Sequence, residues 1–386
     1  MPRTLIFLLL ALGLACGGGG GTAGGGAIRS GPDPWAAVIT ALQGAQSQFP
    51  GAPAMGNLPA APAGLTLEVL TTDGVVYSKT FGAFGNQTYT AVASASKMVS
   101  GTVLLQLVDK GVLSLDTKTK DILKDRNAQP WSGNMGEIKL RHLLSFTSGI
   151  NSEVLSSEPT TITLDEAVTR IYEDQRSTAS VPGSTFYYGS AHLRIAARMA
   201  EVATGKSWRQ LFDENLRVPL GWSALSTYGG GTNPNPAGSL ACTGLEYTRF
   251  LMMQLRKGLD GSARLMSEDL VNQRRLDAFG PTTTIAYTPY VLLQRTHHYG
   301  FGNWVETQNG AAPSATSPIQ RVSSTGKFGW APWIELGNGQ NWAAIIMCQQ
   351  PDAALSFLPS ENLKLQLAPL IQAAVAQQPP VVRAVP

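Results

Sequence analysis

The sequence predicts an α/β (α+β) chain. An antiparallel sheet assembled from both chain ends is flanked by helices and carries an all-helical segment inserted between its halves. Three observations predict it: alternating apolar and polar residues mark strands at 65–70 and 75–81, strand patterns return only beyond about residue 298, and the stretch between reads as one helix after another. Strands at both ends with helices between them place the two ends in one sheet. The domain spans 35–376, with the helical segment at about 101–285, and a Pro-rich tail follows at 377–386.

Taken in order, Arg3 and the apolar run Leu5 to Leu14 form a secretory leader too short to span a bilayer, ending at Ala15-Cys16. A small residue, then a Cys, then Gly17 to Gly21 resembles a bacterial lipobox, although Leu12 lies one place further from the Cys than the usual pattern. Residues 1–16 are therefore expected to be a signal peptide with Cys16 as the lipid-attachment site, and the Gly/Pro-rich 17–34 to be its flexible tether; an ordinary cleaved signal that happens to contain a Cys is the alternative. This implies export across the inner membrane and anchoring in the periplasm or outer membrane.

A short helix is expected at 35–46. Leu65–Leu70 and Val75–Phe81 flank Thr71-Thr-Asp-Gly74 and read as a hairpin with an Asp-Gly turn. From Ser94 the period becomes helical: Val99, Val103, Leu104, Leu107 and Val108 form a stripe that stops at Gly111. Further helices are expected at 140–144, 164–172, 192–203 and 247–255, strands at 299–306, 329–336 and 342–348, and a last helix at 361–376. Cys348 closes an apolar strand and reads as buried; in an oxidising compartment a pair with Cys242 is the alternative.

Composition removes several classes of function. The 29 basic and 26 acidic residues show no Lys/Arg cluster, which argues against a nucleic-acid surface. Four scattered His, three Cys and the absence of HExxH or CxxC leave little for a zinc site. No Ser has Gly at both i−2 and i+2, so the α/β-hydrolase nucleophile elbow is missing.

Chemistry concentrates in three short segments. In Ala93-Ser-Ala-Ser-Lys97, Ser94 and Lys97 are three apart and share a helix face. A buried lysine loses proton affinity and is able to take the serine proton, while the helix start offers N–H groups to negative charge. Such a spacing arises about once by chance in a chain this long, and a second copy, Ser324 to Lys327, lacks a helical context. Pro182-Gly-Ser-Thr-Phe-Tyr-Tyr-Gly-Ser190 offers Tyr188 as a proton shuttle, or else an aromatic turn that packs on the core. Ser323-Ser-Thr-Gly-Lys-Phe-Gly329 lets a strand edge approach a substrate, or is a plain loop.

In this order the segments resemble the Ser-x-x-Lys, Tyr-x-Asn and Lys-Thr-Gly motifs of the serine β-lactamase and penicillin-binding-protein superfamily, in its class C branch with esterases and D-peptidases. The likeness runs over residues 65 to 350 and takes in Gly101 to Asp116, Ile138 to Ile150 and Tyr299-Gly-Phe-Gly302. The resemblance implies a β-lactamase/transpeptidase-like fold with no metal or cofactor. It implies acylation of Ser94, proton movement by Lys97 and Tyr188, and a substrate and oxyanion site at Ser190, Ser324, Thr325, Gly326 and Lys327, with the Ser94 and Lys327 N–H groups as the hole. Ser190 stands where the second motif has Asn, and Ser324 where the third has Lys, with Arg321 and Lys327 as nearby cations. These departures tilt the expectation from β-lactam cleavage towards a carboxylesterase-like hydrolase of a small ester or amide. A D-Ala-type peptidase, a β-lactamase and a catalytically degenerate binding module are the alternatives; a monomer or a larger assembly is equally compatible.

Among other residues, His142 is expected to be structural, His192 to line the pocket or pack behind it, and His297-His298 to be a solvated pair. Trp330 and Trp333 are expected either to shape an apolar pocket or to pack.

Overall fold

The computed structural model describes residues 33–337 and 341–378. The leader, Cys16 and most of the linker and tail fall outside the described residues.

Both chain ends contribute to one seven-stranded antiparallel sheet. Its strands are β1 (Gly64–Thr71), β2 (Gly74–Gly82), β3 (His298–Tyr299), β4 (Trp304–Thr307), β5 (Ile319–Ser323), β6 (Ala331–Glu335) and β7 (Trp342–Met347), in the order β3-β4-β5-β6-β7-β1-β2. The ends join where β1 pairs with β7, Thr66 opposite Met347. Every β1 residue is buried, because both faces of the sheet are covered. On one face Leu65, Leu67 and Val69 pack with Trp333, Trp342 and Ile346 against α1 (Ala36–Ala45) and the C-terminal helix α6 (Leu358–Ala376). The other face and the helical region share a single larger core.

That region is ordered around α2 (Ser96–Asp109), which is buried along nearly its whole length rather than on one stripe. Around it lie α3 (Leu164–Gln175), α4 (Ala191–Thr204) and α5 (Gly244–Leu255). Side-chain oxygens of Thr163 and Thr243 cap α3 and α5, and Gly205 in the left-handed conformation ends α4. The segment expected to be all-helical also carries short strands: Thr90–Ala91 with Leu240–Cys242 and Thr227–Tyr228, a parallel pair of Thr185–Tyr187 with Thr284–Tyr287, and Leu259–Asp260 with Ala263–Arg264. Pieces of two to four residues show no readable period in sequence.

The single strand expected at 299–306 is a hairpin, β3 and β4, turning at Gly300–Asn303. Gly302 (φ +80°) makes that turn against α2: a Cβ there would meet the Lys97 carbonyl oxygen at 2.7 Å. Arg274 ties the same turn to α2, donating to the Met98 carbonyl (2.9 Å) and to Asn303 Oδ1 (3.2 Å).

His297 and His298 are not a solvated pair. His297 is fully buried, and His298 lies 2.7 Å from Asp277 and stacks on Phe279. Their place at the start of β3 sends them to opposite sides of the sheet edge. Trp330 and Trp333 are both buried in the core. Cys242 and Cys348 are buried free thiols, so the disulfide alternative is not realised.

Candidate active site

Ser94 sits one step earlier than a helix-opening residue would, in a 3-10 turn over Ala93–Ala95 that feeds α2. Ala93, at φ 45°, holds a backbone conformation that costs an L-residue energy and aims the next side chain outward. Lys97 follows one turn on, its Nζ 2.9 Å from Ser94 Oγ and 2.8 Å from the Ala237 carbonyl oxygen. Ser100 bonds to the neighbouring Pro236 carbonyl and so holds that loop in place (2.6 Å). Burial lowers the Lys97 pKa to about 7, with Glu153 and Glu158 opposing the shift. A neutral amine has two N–H bonds and one lone pair. Spending one N–H on Ala237 leaves the lone pair free to face the serine hydroxyl.

Tyr188 lies across from this pair. Its ring is 4.7 Å from Lys97 Nζ and stacks on Trp304 at 4.6 Å. Burial raises its phenol pKa, with the Ser94 and Trp304 side chains partly offsetting the rise, so Tyr188 keeps its proton at neutral pH. His192 supports it from behind. Its Nε2 must carry a hydrogen, since its partner is the Tyr187 carbonyl oxygen (2.8 Å), and Nδ1 then accepts from the Ser148 hydroxyl (2.8 Å). Burial holds the ring neutral, with a pKa of about 3. Of the two readings of His192, the packing one is realised. His142 is likewise neutral, lowered by burial to about 4, and its Nδ1 accepts from the Lys139 N–H.

The third motif connects β5 to β6 over the nucleophile turn. The Ser324 hydroxyl donates to the Ser94 carbonyl (2.9 Å), and a Cβ on Gly326 would run into the Val92 carbonyl oxygen, so only glycine allows this approach. Among the described residues the Lys327 N–H meets no protein acceptor. The cations that stood as substitutes for the third-motif lysine are both engaged: Arg321 with Glu335 (3.0 and 3.1 Å), and Lys327 with Asp352.

Ser94, Lys97, Tyr188, Ser190, Thr325 and Lys327 thus line one pocket of about 440 Å³. Ser324 and Gly326 do not line it; they touch the backbone of the turn that carries Ser94. Several lining residues had no signal in sequence. Tyr287 ends a four-residue strand, Tyr290 lies in a 3-10 turn and Phe357 at a helix start far along the chain, and Trp304 was hidden in what read as one strand. Glu153, also unforeseen, accepts the Ser190 N–H (3.1 Å), and desolvation along the wall raises its carboxyl pKa. Away from the pocket, His297, Glu306 and Glu361 bring three possible metal-ligand atoms within 4.8 Å of one another. The Lys364 ammonium already lies among them, 2.7 Å from Glu306 and 2.6 Å from Glu361.

Ser94 and Lys97 meet at the head of a buried helix that packs against an antiparallel sheet built from both chain ends. A family model described as Beta-lactamase matches residues 57–358, and the chain belongs to that family. The structure of a protein described as a beta-lactamase from Bacteroides dorei DSM 17855 superposes with a TM-score of 0.69 at 29% identity, covering 88% of this chain and 98% of its own. Monacolin J acid methylbutanoyltransferase from Aspergillus terreus is 31% identical over 148 residues, 34% of this chain and 36% of the transferase. Penicillin-binding protein 4 from Amycolatopsis lactamdurans is 27% identical over 234 residues, 52% of this chain and 60% of that protein. The matches therefore span about a third and three-fifths of these relatives' lengths. Members of the superfamily are serine hydrolases and acyltransferases.

The lowered Lys97 pKa has a kinetic consequence. Protonated Lys97 has no lone pair, so kcat/KM for a neutral ester is expected to rise with pH through about 7 and then level. A profile flat from pH 5.5 to 8.5 in a pH-stat or stopped-flow assay would contradict a lysine base.

Proposed function

We propose that the protein is a carboxylesterase-like serine hydrolase that works through a Ser94 acyl-enzyme. The observation that carries this reading is the Lys97 amine, buried and 2.9 Å from Ser94 Oγ, opening on a pocket walled by Tyr188, Tyr287, Tyr290, Trp304 and Phe357. Neutral Lys97 takes the Ser94 proton as Oγ attacks the acyl carbon. The Ser94 and Lys327 N–H groups hold the oxyanion. Tyr188 gives its proton to the leaving oxygen and is reprotonated by the Lys97 ammonium; water then attacks the acyl-enzyme, losing a proton to Lys97, the Oγ–acyl bond breaks, and Lys97 returns that proton to Ser94 Oγ as the acid leaves. The aromatic wall suits an apolar acyl group. Engagement of Arg321 and Lys327 by carboxylates weighs against a substrate that must anchor its own carboxylate, as a β-lactam does. The likeness to a methylbutanoyltransferase supports a second outcome for the same intermediate, transfer of the acyl group to an alcohol. A binding module without turnover would have no use for a lysine whose pKa is drawn down to about 7 beside a serine.

Export and lipid attachment at Cys16 rest on the sequence alone. Under this proposal Cys16→Ser moves the protein from the membrane to the soluble fraction of expressing cells, and an unchanged distribution would refute it.

With the mature protein, p-nitrophenyl butyrate is expected to be hydrolysed, Ser94→Ala to lose about 10⁴-fold or more of kcat, and nitrocefin to be cleaved poorly. Rapid Ser94-dependent nitrocefin turnover would replace the esterase reading with a β-lactamase one. Ester hydrolysis that survives Ser94→Ala would remove both.

A further inference from the structure

Titratable side chains lie sealed from solvent behind the pocket wall. Glu361 and Lys364, three residues apart on α6, are both fully buried, as are Glu306 on β4 and His297 before β3. Charges are kept out of water only where close partners compensate the loss of hydration. Here the Lys364 ammonium does so, 2.7 Å from Glu306 Oε1 and 2.6 Å from Glu361 Oε1. The remaining bonds point towards the active site. Glu306 accepts from the Ser323 hydroxyl at the end of β5. The second oxygen of Glu361, Oε2, accepts from the Thr325 hydroxyl (2.7 Å) and from the Tyr290 hydroxyl (3.3 Å). Thr325 and Tyr290 both line the catalytic pocket, and Thr325 is two residues before Lys327.

One oxygen from the C-terminal helix thus holds two parts of the pocket wall that are 35 positions apart in sequence. Ser324 and Gly326, on either side of Thr325, contact the nucleophile turn directly. Any movement of Thr325 is therefore transmitted to the Lys327 N–H and to Ser94. Oxyanion donors act by being fixed in advance, and small displacements cost large factors in rate.

We propose that Glu361 is a positioning residue for turnover at Ser94: its carboxylate, clamped by Lys364, fixes Thr325 and thereby sets the distance between the Lys327 N–H and the reacting carbonyl. The proposal rests on the hydrolase reading above. Neither Glu361 nor Lys364 touches substrate. Their place on α6 couples the last helix of the fold to catalysis.

The test uses p-nitrophenyl butyrate, with kcat and KM measured separately and folding followed by thermal melting. Thr325→Val keeps the volume and removes the donor; kcat is expected to fall roughly 10- to 100-fold with KM little changed. Thr325→Ser restores the donor and is expected to recover most of that loss. Glu361→Gln is expected to lower kcat to a similar degree, and Thr325→Val added to it to lower kcat no further, because both act through one bond. If Glu361→Gln does not fold, the Thr325 pair decides alone. A Thr325→Val enzyme within about twofold of wild-type kcat would overturn the proposal, as would equal losses in Thr325→Ser and Thr325→Val. Those results leave the hydrolase reading standing. A wild-type protein without Ser94-dependent turnover would instead remove that reading, and the positioning role with it.

Discussion

Burial of one lysine is the constraint on which the rest of the site depends. An amine drawn down to a pKa of about 7 prefers its neutral form by roughly 5 kcal/mol relative to a free lysine. The fold must supply that apolar enclosure while still presenting Ser94 to solvent. It does so with a helix buried on all sides, entered through a strained turn that leaves the serine partly exposed at its end. The Ala237 carbonyl meets the one N–H that must not point into apolar space.

The remaining features follow from keeping that helix fixed. Glycines at 302 and 326 let backbone approach backbone on two sides of the nucleophile turn, where any side chain would force the strands away. Arg274 fastens α2 to the β3–β4 turn through carbonyl and amide oxygens. Pairing of β1 with β7 closes the sheet, and α6 packs across it from the face opposite α2. The first and last parts of the domain thus stabilise a site drawn mostly from its middle. Such an arrangement makes the site sensitive to changes in α6, whose Glu361 accepts a hydrogen bond from Thr325.

Much of this was legible in the sequence because strong periodicity survives without context. The hairpin at 65–81, the helix after Ser94 and the terminal helix all fall where the apolar spacing puts them. The spacing of Ser94 and Lys97 places them together on any helix, so their contact needed no tertiary knowledge. The pocket wall is another matter. Tyr287 and Tyr290 sit in a four-residue strand and a 3-10 turn, and Phe357 and Glu153 in irregular segments, where nothing local tells a pocket residue from a surface one. His297 read as solvated because two adjacent histidines look polar; only the sheet edge shows that one of them turns inward. Ser190 and Ser324 read as losses. Ser324 has a positive role, bonding the third motif to the Ser94 carbonyl, which a residue-type comparison does not reveal.

The central claim is that Ser94 carries the acyl group. It is tested most directly by quenching the protein in acid during turnover of p-nitrophenyl butyrate, weighing the intact chain by mass spectrometry and mapping the modified peptide. A butyryl adduct confined to the peptide containing Ser94, and absent from Lys97→Met, is the expected result. An adduct on another residue, or the same adduct formed at the same rate without the Lys97 amine, would contradict the account.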